Sequence, residues 1–205
     1  MNEALQTDAF VLAKRPAAAD GWLTLTLFSP EHGSLLGLQR LPKRPSKSQV
    51  TLDLFDEVSL GLESANQGRT WFVREARLIA RRTDIGRSYE GLRGASAFAR
   101  VIARNPVSPE DRATVAGLLR SAFEAFAGGV RPDVVHFKCL YRFARDEGYP
   151  VKQEWLPALA PADREIALAL INLPLAAQTS AAADVARVQA LLEEYLRTST
   201  EILLD

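Results

Sequence analysis

The side chains that could carry chemistry are few, and most are cations. Arg40, Lys43, Arg44 and Lys47 form a run free of acids, with Ser46 and Ser48 as hydroxyl donors and Pro42 and Pro45 stiffening the backbone. Restricting the unbound chain lowers the ordering cost of presenting those charges to a ligand. A second series, Arg69, Arg74, Arg77, Arg81, Arg82, Arg87, Arg93, Arg100 and Arg104, faces only Glu75, Asp84 and Glu90 over the same stretch. Trp22, Phe28, Trp71 and Phe72 could add ring faces, although a small β domain also needs large residues inside. Cations beside aromatic rings are what a single-stranded nucleic acid requires: phosphate neutralisation plus base stacking, the latter worth about 1–3 kcal/mol per base.

Bond-making chemistry is poorly provided for. There is no G-x-S-x-G, Walker-type glycine loop, G-x-G-x-x-G or H-E-x-x-H. Cys139 is the single cysteine, set in an apolar helical stretch, so no disulfide framework or multi-thiolate zinc site is expected. With it lies His136, which reads as a packing or surface histidine. His32 stands in a turn before Gly33, where it either caps the turn or touches a phosphate. The adjacent acids Asp56-Glu57, Asp146-Glu147 and Glu193-Glu194 point apart on a strand or helix, which suits no paired acid/base mechanism. No catalytic residue, cofactor or metal is expected.

The 205 residues suffice for one large domain or two small ones, and 47% hydrophobic with 24% charged content is that of a globular protein. Lys+Arg and Asp+Glu both total 25, but the zero net charge conceals a segregation. Residues 1–35 carry net −2, residues 36–104 net +6 and residues 105–205 net −4. Because salt screens charges beyond about 8–10 Å, a local basic field can act on a neutral protein. No apolar run approaches the ~18 residues of a membrane span, and the N-terminus reads as no signal peptide. The expectation is a soluble, cytoplasmic protein.

The first 82 residues read as strands. Asp8–Arg15 is followed by the Asp20-Gly21 turn signal, then by Trp22–Phe28, which alternates with period two. After the turn Ser29–Gly33 comes a third strand, Ser34–Leu41. Val50–Phe55 with Val58–Leu62 gives a fourth, bulged around Asp56-Glu57, and Thr70–Ala80 a fifth. Five strands on short turns predict a small closed barrel or a compact sandwich; the barrel is favoured because it leaves no long open edge. From about Gly86 the period becomes helical. One helix ends at Asn105-Pro106, and Ser108-Pro109-Glu110-Asp111 predicts the start of the next, which Gly128-Gly129 stops. Pro132 opens a third; Pro150, Pro157 and Pro161 mark a loop-rich passage; Ala162–Ile171 and a final helix carrying Val185 to Leu196 follow. The reading is α+β: a β domain over residues 1–83 and an all-helical domain over 84–205.

Several segments together resemble the bacterial recombination mediator RecO family. They are Asp8–Lys14 (DAFVLAK), Leu25–Gly33 (LTLFSPEHG), Leu38–Ser48 (LQRLPKRPSKS), Leu54-Phe55 with Val58–Leu60, Arg74–Leu78 (REARL) and Phe137–Pro150 (FKCLYRFARDEGYP). The resemblance covers roughly residues 8–157, and its most specific part is the FSPEHG turn with the basic Lys-Ser loop after it. It implies an N-terminal five-stranded OB-fold barrel and a helical C-terminal domain. The implied function is binding of single- and double-stranded DNA, strand annealing and recombinase loading in DNA repair. The implied partners are RecR and the acidic C-terminal tail of the single-stranded-DNA-binding protein. DNA contacts carry over onto Arg40, Lys43, Arg44, Lys47 and Arg74. Independently of the family, Arg120, Lys138, Arg142 and Arg145 would suit an acidic, hydrophobic-ended peptide. The four-cysteine zinc site of many members is missing, the glycine-rich start of the loop is replaced by Leu38-Gln39-Arg40-Leu41-Pro42, and nothing after Trp155 aligns. The alternative from another class is a protein-interaction scaffold that keeps the fold without DNA binding.

Overall fold

The computed structural model describes residues 3–42, 50–64 and 66–204. The chain is α+β and divides into two compact units: Met1–Arg82 with Pro106–Arg120, and Thr83–Asn105 with Ser121–Asp205.

The first unit holds five strands: β1 (Glu3–Pro16), β2 (Trp22–Ser29), β3 (Gly33–Arg40), β4 (Glu57–Ser64) and β5 (Trp71–Ala80). Every strand has two hydrogen-bonded neighbours, in the order β1-β2-β3-β5-β4 with β4 returning to β1, so the sheet closes into a barrel. All pairings are antiparallel except the short one of β3 with β5 at Gly37–Trp71 and Leu38–Phe72. The alternation seen in Trp22–Phe28 is realised: Leu25 and Leu27 join Ala9, Val11, Leu52, Val58, Leu60, Leu62 and Trp71 in the interior. At roughly 25 cal/mol per Å² of apolar surface removed from water, such side chains dominate the stability of the unit. Gly33 closes the turn into β3 at φ +71°, a conformation that costs glycine nothing. The turn itself is held by Ser29 Oγ, which accepts from the Glu31 and His32 N–H groups, both at 3.1 Å.

Two expectations are corrected here. Residues 50–53 are not part of β4, because the buried Gln39 side chain takes over their backbone bonds. Its Nε2 donates to the Val50 carbonyl (2.7 Å) and its Oε1 accepts from the Leu52 N–H (3.0 Å). Asp56, fully buried, accepts from the Asp53 N–H (2.8 Å) and folds the intervening residues into a turn, with Phe55 at φ +66°. The boundary near residue 84 is the second correction, since Pro106–Arg120 groups with the strands. Arg112 Nη1 donates to the Glu31 carbonyl (2.9 Å), and Arg120 Nη2 and Nε bond to Glu57 Oε1 (2.5 and 3.0 Å) with its guanidinium over the Phe10 ring.

The second unit is helical: α1 (Tyr89–Arg104), the latter part of α2 (Arg112–Ala127), α3 (Pro132–Asp146), α4 (Leu156–Ala158), α5 (Pro161–Asn172) and α6 (Ala182–Ser199). Ser88 caps α1, its Oγ accepting from the Gly91 N–H. Helix α2 begins later than Ser108-Pro109 suggests, because Ser108 Oγ donates to the Asp111 carboxylate (2.6 Å) instead of capping a helix N–H. The loop-rich passage contains a π-turn, Val151–Trp155, leading into α4. Phe137, Tyr141 and Trp155 cluster with ring centroids 6.2–6.4 Å apart. Gly94 is required by packing: a Cβ there would come within 2.7 Å of the Phe126 ring. Asn105 ties down the C-terminal segment, donating to and accepting from the Leu203 backbone at 2.9 Å. Among the described residues no helix is long and apolar enough to cross a membrane.

Candidate nucleic-acid interface

Strand pairing decides which side chains share the outer face of the barrel, because residues directly opposite one another project to the same side. Trp22 of β2 lies opposite Arg40 of β3, Thr24 opposite Leu38, and Leu38 opposite Phe72 of β5. Arg15 of β1 lies opposite Thr24 and is exposed. One face therefore carries Arg15, Trp22, Thr24, Leu38, Arg40 and Phe72. Trp22 and Phe72 meet edge to face, with centroids 5.8 Å apart at 76°. With Ala17, Ala18 and Ala19 of the β1–β2 turn they line a depression of about 470 Å³. Three alanines on that wall leave the two rings half-exposed, free to offer a ring face to a planar ligand.

The cations around this patch differ in their engagement. Arg74 is the extra residue of a bulge, since Leu62 pairs with Val73 and Gly61 with Glu75. Its guanidinium lies 5.9 Å from the Phe72 centroid and donates to Glu63 at 2.7 Å, while remaining exposed. Arg40 is exposed at the end of β3. Lys43, Arg44 and Lys47 lie outside the described residues. The patch is thus built by residues adjacent on three strands, with Arg40 at the end of β3 and Arg74 beside Phe72. Arg15 was missed; its only signal is register, which single-sequence reading does not supply. Of the four aromatics weighed, Phe28 and Trp71 are buried, while Trp22 and Phe72 form the patch.

Much of the basic series is consumed locally. Arg81 forms a two-pronged bond with Asp56 (3.0 and 2.7 Å) and also donates to the Thr51 carbonyl. That hydrogen bond to Asp56 raises the pKa of Arg81 further above its ordinary value. Arg82 and Arg120 share Glu57, whose side chain is 6% exposed. The adjacent acids Asp56 and Glu57 therefore serve as opposite anchors for three arginines, in keeping with their pointing apart.

The four residues suggested for an acidic peptide are divided between the two units. Arg120 belongs to the first unit and is bound to Glu57; Lys138, Arg142 and Arg145 belong to α3 in the second. Lys138 Nζ donates to the Leu173 and Ile171 carbonyls (2.6 and 3.4 Å), closing the end of α5. Burial first, then the neighbouring Arg142, lowers its pKa. Arg145 pairs with Asp146, and Arg142 is exposed. Leu168 and Leu173, exposed on and just after α5, supply apolar surface in the same unit. Cys139 is buried, with its thiol pushed up to about 12 by desolvation. Among the described residues no group of three or more His, Cys, Asp or Glu could hold a metal ion. No known family model and no curated protein matches this chain.

Proposed function

We propose that this protein is a non-enzymatic nucleic-acid-binding mediator of DNA repair and recombination, with single-stranded DNA held on an OB-fold barrel. The observation that carries the reading is the half-exposed Trp22–Phe72 pair in its alanine-walled depression, between Arg15, Arg40 and Arg74. OB-folds bind oligonucleotides on the face of strands 2 and 3 and on the β1–β2 and β4–β5 loops. The depression is assembled from the β1–β2 turn, β2, β3 and the start of β5. The β1-β2-β3-β5-β4 order with β3 parallel to β5 also fits that fold. Bases would stack on the rings while Arg15, Arg40 and the Lys43–Lys47 segment neutralise the backbone. On this reading duplex DNA, the acidic tail of the single-stranded-DNA-binding protein and RecR are the further partners, with Arg142, Lys138 and the α5 leucines the surface for the tail.

A second reading, a protein-interaction scaffold without DNA binding, is favoured by one observation: Arg74, Arg81 and Arg82 are paired with acids of the first unit itself. Anisotropy titration of a labelled oligo(dT) across a salt series separates the two. Engagement of about four phosphates gives a log–log slope of roughly −3. Lys43→Glu with Arg44→Glu should weaken binding by about an order of magnitude and flatten that slope. Wild-type protein that fails to bind at low salt would establish the scaffold instead.

A further inference from the structure

The barrel closes unevenly, because β3 and β5 pair only at Gly37–Trp71 and Leu38–Phe72. From Val73 to Ala80, β5 is bonded to β4 on one side, and among the described residues no strand pairs with its other edge. Successive residues of a strand turn their backbone N–H and C=O groups to alternate sides, so every second residue of this stretch presents both groups along that edge. The side chains agree. Val58, Leu60 and Leu62 of β4 are sealed at 0–2% exposed, whereas Leu78, Ala76 and Val73 directly opposite them pack on the same core and stay half-exposed.

A bare edge is a template for another strand, and charges of one sign along it would repel a second copy. Here the signs alternate. Glu75 and Arg77 are exposed on the outer face, and among the described residues neither takes part in an ion pair. A two-fold axis that joins an edge to itself runs the strands antiparallel and stands normal to the sheet, so it keeps outer faces together and passes through one residue. With the axis at Ala76, Glu75 of each copy lies opposite Arg77 of the other. Moving it to Glu75 sets two carboxylates against each other, and moving it to Arg77 sets two guanidinium groups together; like charges directly opposite are unfavourable.

We propose that β5 pairs antiparallel with β5 of a second copy about Ala76, with two Glu75–Arg77 ion pairs across the junction. Glu75–Leu78 is regular, lying between the two bulges of β5, so the register holds over it. An edge this short buries far less than the ~1,600 Å² of a standard interface, and exposed ion pairs are screened by salt. Association is therefore in the high-micromolar range and weakens several-fold as salt rises.

The test is sedimentation equilibrium of the full chain at low and high salt, with circular dichroism to show that each variant folds. Arg77→Glu sets acid against acid at both pairs and Glu75→Arg sets base against base, so each alone should weaken the dimer by about tenfold or more. An equimolar mixture of the two variants restores both pairs and should associate at least as well as wild type. Hydrogen exchange at the amides of residues 75–79 should slow as wild-type concentration rises. No nucleic acid is present, so the outcome is separate from that of the DNA reading. A wild type that stays monomeric to about 1 mM, a dimer indifferent to Arg77→Glu, or a mixture that remains monomeric overturns the proposal, the first leaving the edge to an extended peptide of another protein.

Discussion

Replacing Trp22 by leucine isolates the stacking half of the proposed interface from the electrostatic half. Trp22 contributes a half-exposed ring packed edge-on against Phe72, and leucine keeps apolar bulk at a strand position while removing the π face. Loss of one base–aromatic stack costs about 1–3 kcal/mol, or about 5- to 150-fold in Kd. The edge-to-face pair is itself worth about 0.5–1.5 kcal/mol, and partial exposure puts this one at the lower end. At about 2–4 °C per kcal/mol for a chain of this length, Tm should fall by only ~1–3 °C. The assay is built into the chain: Trp71 and Trp155 are 7% and 3% exposed, so Trp22 is the indole presented to ligand. Oligo(dT) should quench tryptophan emission in wild type and not in Trp22→Leu, whereas Trp22→Phe should recover most of the affinity. The salt slope should be unchanged, because no phosphate contact is lost. Equal oligo(dT) affinity for Trp22→Leu and wild type, with the quench retained, would refute stacking on this face.

Arg120→Met leaves Glu57 with Arg82 alone, at 3.6 Å. Breaking a buried pair costs about 3–5 kcal/mol, but Arg120 is itself half-exposed, so urea unfolding should show a loss of about 1–3 kcal/mol, less when combined with Glu57→Gln. Cys139, with its thiol pushed up to about 12, should resist a disulfide reagent at pH 8 in the folded chain and react at once in denaturant. Burial lowers the pKa of His136 below its ordinary 6.5, so the unfolded chain takes up the proton first as pH falls. Stability of the second unit should therefore be complete above about pH 7 and decline below 6.5, and His136→Gln should flatten that decline in Tm measured from pH 7.5 to 5.

Period-two alternation made β2 legible because its inward leucines are uninterrupted, and the Asp20-Gly21 and Gly33 turns announced themselves through residues that tolerate positive φ. The end of α2 and the start of α3 were equally plain from Gly128-Gly129 and Pro132. What could not be read were features fixed by side chains reaching across the fold. Gln39 reads as one polar residue in an apolar strand, yet it takes the backbone bonds of Val50 and Leu52 and so decides where β4 starts. Arg120 reads as a cation for an acidic peptide and Arg112 carries no sequence signal, yet they attach residues 106–120 to the strands. Of the interface, Arg40 and Arg74 were visible as charges; Arg15 and the Trp22–Phe72 contact depend on register and closure.

The same arginines show why a charge count is a poor measure of an anion-binding face. The net +6 of residues 36–104 implies a broad positive field, but Arg81 and Arg82 are held by the buried Asp56 and Glu57. A guanidinium paired with a carboxylate contributes little field beyond a few ångströms, and moving it to a phosphate exposes the acid it leaves. Arg74 is intermediate: it pairs with Glu63, but both groups are exposed and a surface pair is worth about 0–1 kcal/mol, so a phosphate can compete for it. On the proposed reading, Arg15 and Arg74 with the Lys43–Lys47 segment supply an electrostatic share of binding. Arg81→Gln should accordingly lower stability and leave the salt slope intact, whereas Arg15→Gln should reduce the slope by about 0.7 and leave stability intact. The opposite pattern would move the polyanion site to the Asp56–Arg81 side of the barrel.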